Sequence, residues 1–148
     1  MRITYSRRIL DSFRKEAKRL FPLEAFAVLL GNIDGDSIDI SGIFIPEDQE
    51  RRCTTTGISS KNCNTWFARG GILAEVFGLT AIAEIHSHPE NSGFSYDTSP
   101  SDTDWERVQQ LENRLHAIFS IRRYPTGRTI SRIKIWPVLP VLKEKITP

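Results

Sequence analysis

Two of the three histidines stand two residues apart, in the string Glu84-Ile85-His86-Ser87-His88-Pro89. Residues two apart on a strand project to the same side, so both imidazoles would enter one space. Zinc takes imidazole nitrogen readily, and a zinc site wants a third ligand from N, S or O donors and an open position for water. Downstream, Ser99-Pro100-Ser101-Asp102-Thr103-Asp104 leads into a helix-like segment and offers carboxylates. Two registers compete, Ser99 with Asp102 or Ser101 with Asp104. Trp105, Val108, Leu111 and Leu115 define the inward face of that segment. At about 100° per residue, Asp104 lies roughly 40° from Val108 and Asp102 roughly 120° away. Asp104 is therefore expected to point toward the body and Asp102 toward water, where a first-turn acid favours the helix dipole. Ser101 fits as N-cap, and the same hydroxyl can face the site.

Activating a water also needs a base. Glu24 abuts the apolar run 25–30, and a carboxylate there is costly unless it has a partner such as a metal-bound water. An ordinary strand-edge acid is the plainer reading. Glu84 competes, because it shares strand parity with His86 and His88. It can equally be the group that orients a ligating imidazole.

These residues need elements to hold them. Residues 6–20 have helical apolar spacing (Ile9, Leu10, Phe13, Ala17, Leu20), and Pro22 ends the run. Residues 25–30 read as a short buried strand closed by Gly31. Ile38, Ile40 and 43–45 suggest a second strand bulged at Gly42. Residues 53–58 are β-compatible. Asn64 can cap a helix over 65–77, with Gly70-Gly71 weakening it. Residues 79–86 form a strand, 89–100 a polar loop and 102–115 a helix. Strands over 117–122 and 129–136 are joined by Tyr124-Pro125-Thr126-Gly127. Helices alternating with strands over this length predict an α/β (α+β) sandwich, a mixed sheet flanked by helices.

Three segments together resemble the JAB/MPN domain with an intact JAMM motif, the MPN+ type. That family carries a Glu on its first strand, then His-x-His-Pro, then Ser-x-x-Asp. Pro22-Leu23-Glu24 before 25–31, Glu84 to Pro89, and Pro100-Ser101-Asp102-Thr103-Asp104 match in order. The likeness extends from the first helix to Trp136. It implies a single JAB/MPN-like (cytidine-deaminase-like) metalloprotease domain over 1–148. It further implies a zinc isopeptidase that hydrolyses the bond after the C-terminus of a ubiquitin-like protein. By the resemblance, His86, His88 and Asp104 would bind one Zn²⁺ per chain. Glu24 would be the general base and Ser101 would stabilise the oxyanion. The spacing between His88 and Ser101 is longer than usual for the family. Residues 90–99 add Phe94 and Tyr96, as a substrate-facing loop or as a disordered insertion. The bare domain resembles prokaryotic members, some of which work with E1-like and E2-like proteins in antiphage pathways. A non-catalytic MPN scaffold is the alternative, although scaffolds typically lose ligands.

Composition bounds the rest. The chain has 148 residues, 39% hydrophobic and 26% charged, with 9 Gly and 8 Pro. That fits one domain with its own core and excludes low complexity and disorder. The longest apolar run, 25–30, is too short to cross a bilayer. The basic N-terminus lacks an apolar h-region, so no signal peptide is expected and a cytoplasmic location is. The net charge of +2 hides basic ends and an acidic middle. The basic ends read as solvated faces; nucleic-acid binding has no motif behind it, and no membrane partner is expected. Cys53 and Cys63 match no zinc spacing and read as buried thiols. His116, before an apolar strand, reads as structural.

Overall fold

The computed structural model describes residues 2–55, 57–91, 104, 106 and 115–137. Its element order is β1 (Arg2–Tyr5), α1 (Arg7–Leu20), β2 (Phe26–Asp34), β3 (Ser37–Phe44), a 3-10 turn (Gln49–Arg51), α2 (Ser60–Val76), β4 (Thr80–Asn91), β5 (Leu115–Arg123) and β6 (Thr129–Pro137). The six strands form one mixed sheet in the order β1-β3-β2-β4-β5-β6. β1/β3 and β4/β5 are parallel, and the other neighbouring pairs are antiparallel. The expected α/β sandwich is the fold observed.

β2 explains the layering. Its first five residues are all buried, because both faces of this central strand are covered. Ala27 and Leu29 join Ile9, Phe13, Ala17 and Leu20 of α1 in one core. Phe26, Val28 and Leu30 join Trp66 and Ala74 of α2 in the other. A period of two thus sorts one apolar run between two helices. Phe26 and Trp66 meet with ring centroids 5.4 Å apart. Arg14 of α1 donates from Nε to Ser131 Oγ of β6 at 2.9 Å, tying the helix to the far edge of the sheet.

Several boundaries differ from the sequence reading. α2 begins at Ser60, capped by Ser59, whose Oγ accepts from Asn62 N at 3.2 Å; Asn64 lies inside the helix. The Gly70-Gly71 pair does not break it. A Cβ on Gly70 would stand 3.0 Å from Val28, so the missing side chain lets α2 approach β2 closely. The bulge falls at Ser41, beside Gly42, opposite the Leu30/Gly31 step. At that step a Cβ on Gly31 would meet the Asp39 carbonyl at 1.8 Å. Among the described residues of 53–58, the pairing is one isolated bridge, Cys53 with Ile58. β1 has no counterpart in the sequence reading; it is four largely exposed residues held by pairing with β3. β5 begins at Leu115, the last residue of the helix expected from the sequence, and includes His116, opposite Trp136.

β4 continues past the expected end through Pro89 to Asn91, along β5. Proline fits there for a geometric reason. Ser87 N donates to Ala25 O, so the nitrogen two residues on faces the same side, where β2 has ended and no ladder bond is owed. Among the described residues no helix is long and apolar enough to cross a membrane.

Candidate metal centre

The site lies where β4 outruns β2. His86 is directly opposite Phe26, the first residue of β2, and Glu84 is opposite Val28. Cross-strand partners share a face, so Glu84 and His86, with His88 at the same parity, lie on the α2 side of the sheet. Ser87 still bonds Ala25, and past it β4 has outrun β2. Asp104, in helical conformation, meets the two imidazoles at this end of the strand.

The donors converge closely. His86 Nε2 and His88 Nε2 are 2.9 Å apart, with ring centroids separated by 4.8 Å. Asp104 sets Oδ1 at 3.2 Å from His86 Nε2 and Oδ2 at 3.7 Å from His88 Nε2. All three side chains are mostly shielded from solvent, at 9%, 19% and 16% exposure in that order. Neighbouring ligands of a tetrahedral zinc, at the usual Zn–N and Zn–O lengths, stand about 3.3 Å apart. The separations between residues, with one carboxylate oxygen toward each imidazole, lie on either side of that value. Two imidazoles and one carboxylate are also a donor set that suits zinc. The residues present therefore fit the ion.

Glu24 is brought to the same place by the segment before β2. Burial pushes its carboxyl above the ordinary range; charge on His86 and His88 opposes the shift, and Asp104 adds to it. The residue after it, Ala25, bonds Ser87 between the two histidines, which sets Glu24 beside the donors. Glu84 is 3% exposed and one strand repeat deeper, beneath α2. Ser101 and Asp102 lie outside the described residues, as do Phe94 and Tyr96.

The carrier segment of Glu24 is held at three successive amides. Glu24 N donates to Thr54 O at 2.8 Å, Ala25 N to Ser87 Oγ at 2.7 Å and Phe26 N to Gln49 Oε1 at 2.7 Å. Ser87 and Gln49 are fully buried. Neither is singled out by the sequence: Ser87 is marked only by its place between the two histidines, and Gln49 lies in a polar loop with nothing to distinguish it.

Cys53 and Cys63 are buried thiols not joined in a disulfide, in the core on the α2 side of the sheet. Among the described residues the donor cluster is His86, His88 and Asp104, without a cysteine.

A family model described as prokaryotic homologs of the JAB domain matches residues 6–134. No curated protein matches the sequence. Among solved structures, a JAB1/MPN domain protein from Archaeoglobus fulgidus is similar, with a TM-score of 0.53 and 19% identity over 92% of this chain and 88% of that one. A protein from Salinibacter ruber has a TM-score of 0.60 and 21% identity, covering 94% of this chain and 84% of its own. A protein from Desulfitobacterium hafniense has a TM-score of 0.57 and 17% identity, with 93% and 91% covered. At these identities the likeness is one of fold.

Proposed function

Because the chain belongs to the family of prokaryotic JAB-domain homologs, we propose that it is a zinc metallo-isopeptidase, or peptidase, acting at the C-terminus of a ubiquitin-like protein. The observation that carries this reading is the close triangle of His86, His88 and Asp104, with Glu24 beside it. A scaffold has no need to gather two imidazoles and two carboxylates in one partly buried place, where each loses hydration.

The roles follow from the residues. His86, His88 and Asp104 would hold one zinc ion. A zinc ion held there would supply Lewis acidity, acidifying a water and polarising a carbonyl. Glu24 takes the proton from the water as its oxygen attacks the carbonyl carbon. It then delivers that proton to the amine nitrogen as the C–N bond breaks, leaving a carboxylic acid, which loses its remaining proton to solvent at neutral pH, and a free amine. A carboxyl held above its ordinary pKa is a stronger base once ionised, and so better matched to this transfer. Ser101 would donate its hydroxyl to the carbonyl oxygen as charge develops there. The partner is a ubiquitin-like protein or its conjugate, in a cytoplasmic pathway with E1-like and E2-like proteins.

The test is single-turnover cleavage of ubiquitin-like conjugates and precursors by zinc-loaded wild type and Glu24→Gln, with zinc quantified in both. Loss of general acid–base catalysis lowers the rate by about 10²–10⁴-fold, with zinc retained. Equal rates would overturn the base assignment and move it to Glu84. No cleavage by zinc-loaded wild type across several substrates would favour the scaffold.

A further inference from the structure

We propose that Gln49 and Ser87 are positioning residues that aim the Glu24 carboxylate at the His86–His88–Asp104 cluster; the catalytic consequence rests on the isopeptidase reading. Glu24 precedes β2, and its own amide is held by the Thr54 carbonyl. The next two amides, those of Ala25 and Phe26, are each captured by a buried side chain. The two captures pull in opposite directions. Ala25 N faces β4, where Ser87 Oγ accepts it at 2.7 Å, and Ser87 N returns a bond to Ala25 O at 2.9 Å. Phe26 N, by the alternation of a strand, faces away from β4. On that side the β2–β3 pairing ends at Val28 with Phe44, and Gln49 Oε1 supplies the acceptor that a strand would have given.

Both mounts are rigid. Ser87 lies between the two imidazole-bearing residues of the paired strand β4. Gln49 O accepts from Arg52 N at 3.0 Å and Cys53 N at 2.8 Å, which fixes the turn that carries its side chain. The amide orientation is dictated, since an N–H donor must meet the oxygen. Gln49 Nε2 is then buried without a hydrogen-bond partner. A half-satisfied buried amide is a poor stabiliser. Its acceptor end matters for what it places. The same strand that presents the imidazoles thus also holds the base segment, and the 46–58 loop holds it from the other side.

The experiment uses the full chain as wild type, Ser87→Ala, Ser87→Thr and Gln49→Met. Ser87→Ala should speed exchange of the Ala25 amide, and Gln49→Met that of the Phe26 amide, each by about tenfold for one lost hydrogen bond. In cobalt-loaded protein, the metal-induced NMR shift of the Glu24 side chain should change in both variants and return in Ser87→Thr. In zinc-loaded protein, kcat should fall by about tenfold to a hundredfold with KM and zinc content held, as expected for a displaced catalytic group. Ser87→Thr should restore it. Unchanged exchange, an unmoved Glu24 signal, or a moved signal with unchanged kcat overturns the proposal. If wild type cleaves nothing, the isopeptidase reading fails by itself, while exchange and the Glu24 signal still decide the positioning. If Gln49→Met does not fold, the Ser87 pair carries the same test.

Discussion

Phe26 and His86 are direct cross-strand partners, so the apolar core beneath α2 and the donor cluster share one face of the sheet. Phe26 is packed on Trp66, and the backbone of β4 is therefore fixed by core packing at the residue that presents the first imidazole.

The cluster predicts its own metal stoichiometry. Wild type should carry one zinc per chain, and His88→Ala and Asp104→Ala should each lose most of it, because two remaining donors bind weakly. Asp102→Ala should keep it. Metal analysis after dialysis checks all three. Retention in Asp104→Ala with loss in Asp102→Ala would reverse the choice of carboxylate.

The metal-free protein should show a pH signature at Glu24. Its carboxyl is raised, chiefly by burial, so the folded state prefers the neutral form. The sign follows by linkage: the stabilisation is present below the unfolded carboxylate range and is lost as pH rises through the raised folded value. Glu24→Gln, neutral at every pH, should therefore melt higher than metal-free wild type at neutral pH. The difference should vanish in acid. Thermal melts across pH check this, and a lower melting temperature for Glu24→Gln at neutral pH would contradict it.

The glycine pair in α2 predicts opposite effects at adjacent positions. Gly70→Val forces a branched side chain against Val28, already 3.0 Å from an added Cβ, and should destabilise by about 1–3 kcal/mol. Gly71 has nothing within 4 Å of an added Cβ. Gly71→Ala should stabilise by up to about 1 kcal/mol. Urea titration of both variants checks the contrast.

The cysteines should be inert. Burial pushes the Cys53 thiol up to about 12, with Glu24, Asp48 and Glu16 adding to the shift, so little thiolate exists at neutral pH. A thiol reagent should label Cys53 only as fast as the protein opens. Cys53→Ala with Cys63→Ala should leave zinc per chain unchanged. Fast native labelling, or a lowered zinc count, would count against the buried-thiol reading.

The local pattern of the sequence already determined much of this. Period-two and period-3.6 spacing placed α1, β2 and β4, because burial on one face repeats at short range whatever the fold around it. His86 and His88 were legible as a pair for the same reason, since parity on a strand is a property of the backbone alone. Helical phase likewise singled out Asp104. Tertiary structure decided what depends on distant partners. The edge strand β1 exists only through β3. Gly70-Gly71 reads as a weak point in the helix until Val28 is seen against Gly70. Pro89 stays in a strand because β2 has ended beside it. Gln49 and Ser87 acquire meaning only when the amides of Phe26 and Ala25 arrive from segments far along the chain. A hydrogen bond between residues 23 or 62 positions apart leaves no periodic trace in the sequence, and closing such loops is the work of the whole fold.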